Sequence, residues 1–87
     1  MTFRIETVVR GGIIVFLLSG RIESEAIDAL RKLFEVNADY SKIVLDLKDV
    51  GVVDRNVVCF FGHCEAQGVK LENCPGYVRE WMEREKD

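Results

Sequence analysis

From Phe3 the chain alternates, with Phe3, Ile5, Thr7 and Val9 on one side of an extended segment and Arg4, Glu6, Val8 and Arg10 on the other. A period of two predicts a half-exposed strand. Gly11-Gly12 follows, and a pair that tolerates positive φ predicts a tight hairpin turn. Ile13 to Leu18 is apolar throughout, which predicts a central strand covered on both faces. Gly20-Arg21-Ile22-Glu23 is expected to leave the sheet. Ser24 is the expected N-cap of a helix, with Glu25 and Asp28 in its first turn favoured by the positive end of the helix dipole. Ala26, Ile27, Leu30, Leu33 and Phe34 recur at helical spacing, while Asp28, Arg31, Lys32 and Glu35 form the wet face. That helix is expected to end near Asn37.

Ile43 to Leu47 predicts the next strand, and Lys48 to Val53 a loop. Asp54 or Asn56 can cap a second helix running to about Gln67, where Gly68 stops it. Val58, Phe61 and Cys64, three apart, are expected in the core. Val69 to Asn73 predicts a short fourth strand. Pro75 suits the first turn of a last helix that buries Val78, Trp81 and Met82 and carries the pairs Arg79–Glu83 and Glu80–Arg84. The expected fold class is therefore α/β, in the order β-β-α-β-α-β-α. A small mixed four-stranded sheet would carry about three helices, with parallel neighbours and right-handed crossovers except at the first hairpin.

Eighty-seven residues fit a single domain spanning 1–87, and a net charge of −3 with no basic cluster argues against nucleic acid as a partner. The longest apolar run is six residues, far short of the ~20 that a spanning helix needs, so no membrane insertion is expected. The three cysteines, at 59, 64 and 74, cannot all pair within the chain. With no signal peptide evident, they read as free thiols in a reducing cytoplasm.

Three landmarks in order resemble the STAS family (sulphate transporter and anti-sigma-factor antagonist). Leu18-Ser19-Gly20-Arg21-Ile22-Glu23 is similar to the family's Gly-x-Leu-Asp exit from the second strand, Ile43-Val44-Leu45-Asp46-Leu47 to its Val-Leu-Asp-Leu strand, and Val52-Val53-Asp54 to its Ile-Asp lead into the switch helix. The resemblance runs from about Phe3 through the second helix and the fourth strand. Members continue Asp-Ser-Ser-Gly, and the second serine is the phosphorylation site of bacterial anti-sigma-factor antagonists. Here Asp54, Arg55, Asn56 and Val57 stand at those positions. The resemblance implies a non-enzymatic protein-binding module that docks on a kinase-like anti-sigma factor. Asn56 keeps a capping oxygen but lacks a hydroxyl, which implies no phospho-switch at this point. Arg55 puts a cation at the unfavourable end of the helix dipole. Within the same family the alternative is a subunit or regulatory module of a membrane transporter, favoured if Val57 and Phe60 are exposed.

The expected partner-binding residues are Asp54, Arg55 and Asn56, with Ser24 and Arg21 at the margin; the plainer reading is a capped helix and a solvated loop. Ser24 reads as a plain cap or as a substitute phosphoacceptor. Cys59 and His63, four apart on one helix, would suit a metal with Cys64 or Cys74, or a cysteine–histidine nucleophile. The plainer reading is an exposed histidine beside a small semi-buried thiol, with no metal and no catalysis. Asp46 and Asp49 read as strand-end and turn residues rather than as an acid–base pair. Tyr77 and Trp81, four apart on the last helix, read as core, and Phe60 as partly exposed. No phosphate-cradling glycine loop is present, and no cofactor is expected.

Overall fold

A computed structural model describes residues 3–36 and 39–85. Strand β1 (Phe3–Arg10) returns through Gly11-Gly12 into β2 (Ile13–Ile22), paired antiparallel from Arg10↔Ile13 to Phe3↔Gly20. The glycines take φ of 53° and 86°, the two positive angles that a type I′ turn demands and that match the twist of the strands. β2 does not leave the sheet at Gly20 as expected. Gly20 bends with φ 87°, and Arg21 and Ile22 stay in the ladder opposite Val52 and Val53.

The largest departure from expectation lies in β3 (Ile43–Val53), which runs parallel to β2 through the segment read as a loop. Its pairing offset slips twice, between Leu17/Ser19 and between Gly20/Arg21 of β2, so β3 carries two extra residues. Each extra residue turns the next side chain to the other face. Core positions accordingly fall at Ile43, Leu45, Leu47, Val50 and Val53, a spacing of two that becomes three. That broken alternation, with Lys48-Asp49 and Gly51-Val52 as exposed pairs, looks like a loop in sequence. A bulge leaves backbone groups outside the ladder, and side chains take up one at each slip. Asp46 Oδ1 accepts from the Lys48 N–H at 3.0 Å and from Asn73 Nδ2 at 3.2 Å. The Tyr77 hydroxyl donates to the Gly51 carbonyl at 2.7 Å. Asp46 is thus a bulge anchor inside the strand, and Tyr77 is exposed rather than core.

Helices α1 (Ser24–Val36), α2 (Arg55–Ala66) and α3 (Gly76–Glu85), a 3-10 turn (Tyr40–Lys42) and the short strand β4 (Lys70–Glu72) complete the described fold, with sheet order β1-β2-β3-β4. The expected end of α1 near Asn37 lies outside the described residues. All three helices contribute to one core cluster, in which Ala26, Leu30, Val58, Phe61 and Val78 meet Phe16, Leu18, Ile43, Leu45 and Leu47 of the sheet. The sheet is therefore covered by helices on one face. The run Ile13–Leu18 is apolar on its second face for another reason: Val15 lies beside Val44 and opposite Val8, and these side chains shield one another outside the main cluster. Val9 has the parity of the core face, yet at the hairpin tip it is 68% exposed. Pro75 sits just ahead of α3, where its carbonyl accepts from the Val78 and Arg79 N–H groups. Trp81 is half-buried against the cluster. No helix among the described residues is long and apolar enough to cross a membrane.

One-sided cover makes neighbouring residues unequal. Leu45→Ala should cost about 3 kcal/mol and Val44→Ala about 1 kcal/mol, read from urea midpoints. Equal losses would mean that the second sheet face is packed as heavily as the first.

Candidate functional site

Because β2 and β3 are parallel and end together at Ile22↔Val53, the starts of α1 and α2 lie side by side at the carboxyl end of the sheet. Such strand ends are where open α/β sheets gather their functional groups. At α2, Asp54 is the N-cap. Its backbone is extended, its Oδ1 accepts from the Val57 N–H at 2.9 Å, and its carbonyl accepts from Val58 at 3.0 Å. Of the two candidates Asp54 takes the cap, which frees Asn56 to stand exposed in the first turn. Val57, at the glycine position of the resemblance, points inward and is fully buried.

Ser24 is not the cap of α1. The Glu23 carbonyl accepts from Ala26 at 2.9 Å and from Ile27 at 3.4 Å, so Glu23 stands at the cap and Ser24 is the first helical residue, exposed. Arg21 is an exposed strand residue opposite Val52, not part of a turn.

Arg55 lies 75% exposed at the start of α2, where the dipole disfavours a cation. Glu85, thirty residues on, offsets it: its Oε1 accepts from Arg55 Nε at 3.1 Å while its Oε2 accepts from Trp81 Nε1 at 3.3 Å. The last turn of α3 is thereby tied to the first turn of α2. A second tie joins the same helices, where both Arg79 η nitrogens donate to the Glu65 carboxylate at 3.1 Å. Arg79 thus reaches across to α2, beyond the expected Glu83 on its own helix. That pairing holds the guanidinium above its usual range.

Between α1 and α2 runs an open groove of about 680 Å³. Ser24 and Asn56 both line it, while Asp54, Arg55 and Arg21 stand outside it. Its apolar wall is aromatic. Phe60, half-buried, stacks on Phe34 with centroids 6.1 Å apart, and Phe34 also meets Tyr40 at 5.5 Å and the core residue Phe16 at 6.0 Å. The Arg31 guanidinium lies 5.8 Å from the Phe60 ring, a cation–π distance. His63 and Cys59 are exposed along the same wall.

Sequence reasoning found Ser24, Asn56 and the exposed edge of Phe60. It missed Glu85, because no local spacing links residues thirty apart. It also missed Arg31 and Tyr40, which period alone assigns to a wet face and a connection.

The thiols differ by burial. Cys64 faces the core, and loss of hydration pushes its thiol up to about 12, against a smaller opposing pull from Arg31. A thiol held protonated is a poor metal ligand or nucleophile. Cys74 is raised as well, first by burial. Cys59 is exposed.

Two outcomes are expected from these assignments. Asp54→Ala should destabilise the fold by about 1 kcal/mol, whereas Ser24→Ala should cost less than about 0.5 kcal/mol, because only the first removes a cap. Urea titration of both variants checks the order. For Cys64, folded and unfolded chains are both protonated below pH 9.0, the ordinary value, and stability there is flat in this group. Between 9.0 and about 12 the unfolded chain loses the proton and the folded chain keeps it. Stability should therefore fall as pH rises through that window, by at most about 1.4 kcal/mol per pH unit. Cys64→Val, measured beside wild type, should show a shallower fall.

No protein-family model matches this chain, and no curated protein is significantly similar to it.

Proposed function

We propose that this chain is a non-enzymatic protein-binding module that meets its partner with the start of α2 and the adjoining α1–α2 groove. The observation that carries this reading is the convergence of two helix starts, where Asn56 and Ser24 line an open groove walled by Phe60 and Arg55 is exposed beside it. An open, partly aromatic surface with charged and amide groups at its rim suits protein recognition. Cys64, the buried thiol, is held protonated, which does not suit it to join Cys59 and His63 as a metal ligand. The element order and the landmarks around Asp46 and Asp54 support the resemblance to STAS domains. By that resemblance the partner is a kinase-like anti-sigma factor. Asn56 has no hydroxyl, so docking would not be gated by phosphorylation there. The transporter alternative, which exposed Val57 and Phe60 would favour, loses Val57, which is buried, and keeps only the groove-facing edge of Phe60.

The test is affinity capture from the source cell, with bound proteins identified by mass spectrometry, for wild type beside Arg55→Glu and Asn56→Ala. Wild type should retain a kinase-like regulator, and Arg55→Glu should weaken retention about tenfold or more by reversing charge at the contact. Undiminished capture by both variants would remove the α2 start as the docking site. Incubation of the captured pair with labelled ATP should leave the chain unlabelled, and label on Ser24 would overturn the ungated reading.

A further inference from the structure

We propose that β1 is a self-association edge: two copies pair their β1 strands antiparallel about a two-fold axis at Val8, joining two four-stranded sheets into one. A type I′ turn makes Arg10↔Ile13 the closing hydrogen-bonded pair, and hydrogen-bonded pairs alternate along an antiparallel ladder. Residues 10, 8, 6 and 4 therefore spend their backbone groups on β2. Residues 9, 7, 5 and 3 direct theirs to the open edge, where β1 has no neighbouring strand among the described residues.

A second β1 laid antiparallel on that edge with Val8 opposite Val8 sets Thr7 opposite Val9 twice, and both residues have outward backbone groups. The same register sets Glu6 opposite Arg10 twice. These are non-hydrogen-bonded positions, where facing side chains approach most closely. Charged side chains ordinarily guard a free edge. Here their order along the strand is self-complementary. Arg10 has no ion-pair partner among the described residues, and Glu6 is 51% exposed with only Arg4 beside it at 2.8 Å.

Two neighbouring registers fail on charge. Centring on Glu6 opposes it to itself, and centring on Thr7 opposes Arg4 to Arg10. Centring on Ile5 matches charges but carries Val9, the exposed apolar residue of this strand, past the described part of the second strand. Centring on Val8 also runs the shielded valines Val44, Val15 and Val8 into the same three of the second copy, on the face that carries no helix among the described residues. No β1 residue lines the α1–α2 groove, so this edge and the docking face are independent.

Sedimentation equilibrium from micromolar to millimolar protein tests the proposal. Wild type should dimerise with concentration. Glu6→Arg and Arg10→Glu should each weaken the dimer about tenfold or more, because each sets like charges opposite one another twice. The double variant Glu6→Arg/Arg10→Glu should restore it. Amide hydrogen exchange supplies a readout on wild type alone: the Thr7 and Val9 amides should slow as concentration rises, and this decides the matter should a variant fail to fold. A wild-type monomer throughout the range, a double variant no tighter than the singles, or Thr7 and Val9 exchange independent of concentration would each overturn the proposal.

Discussion

The parallel pairing of β2 with β3, from Ile14↔Ile43 to Ile22↔Val53, is the contact on which the rest of the molecule is arranged. Parallel neighbours need a crossover, and α1 supplies it. Because the two strands end together, the helices leaving them start together, which brings Ser24 and Asn56 to one groove. The three helices then cover a single sheet face and share a single core around Phe16, Leu45 and Phe61. Among the described residues the opposite face is left to short-range shielding among valines, which is why that face remains strand-like in sequence without a layer above it.

Much of this was legible in the chain. The alternation in β1, the Gly11-Gly12 turn, the periodicity of α1 and the spacing of Val58, Phe61 and Cys64 each led to the observed element, because each is a local consequence of where water is excluded. What escaped was set by partners distant in sequence. The segment Lys48–Val53 reads as a loop because two bulges change its period from two to three, and only the β2 ladder shows that the change is regular. Ser24 reads as a cap because serine usually is one, yet the carbonyl of Glu23 closes the first turn. Tyr77 reads as core by spacing, but its hydroxyl is engaged by Gly51, twenty-six residues away.

At the candidate site the same contrast holds. The cap at Asp54 is local, and the sequence narrows it to Asp54 or Asn56. The feature that makes Arg55 tolerable at a helix start is not local: Glu85 neutralises it from the far end of α3 and holds Trp81 with its other oxygen. The surface at the start of α2 is thus a joint product of two helices. Groups on that surface are positioned partly by a residue that no partner need touch.

The two slips in β3 have a consequence for how the chain can change length. A surface loop between a strand and a helix ordinarily accepts insertions and deletions with little effect. The stretch from Lys48 to Val52 looks like such a loop but works as a ruler. Each extra residue turns the strand by half a pleat, and together they set both where α2 begins and which of its sides faces α1. Losing one residue there would not shorten a tether. It would invert the end of β3, sending Val53 to solvent and carrying Asn56 off the groove, so this loop-like segment should be as intolerant of length change as the apolar core beneath it.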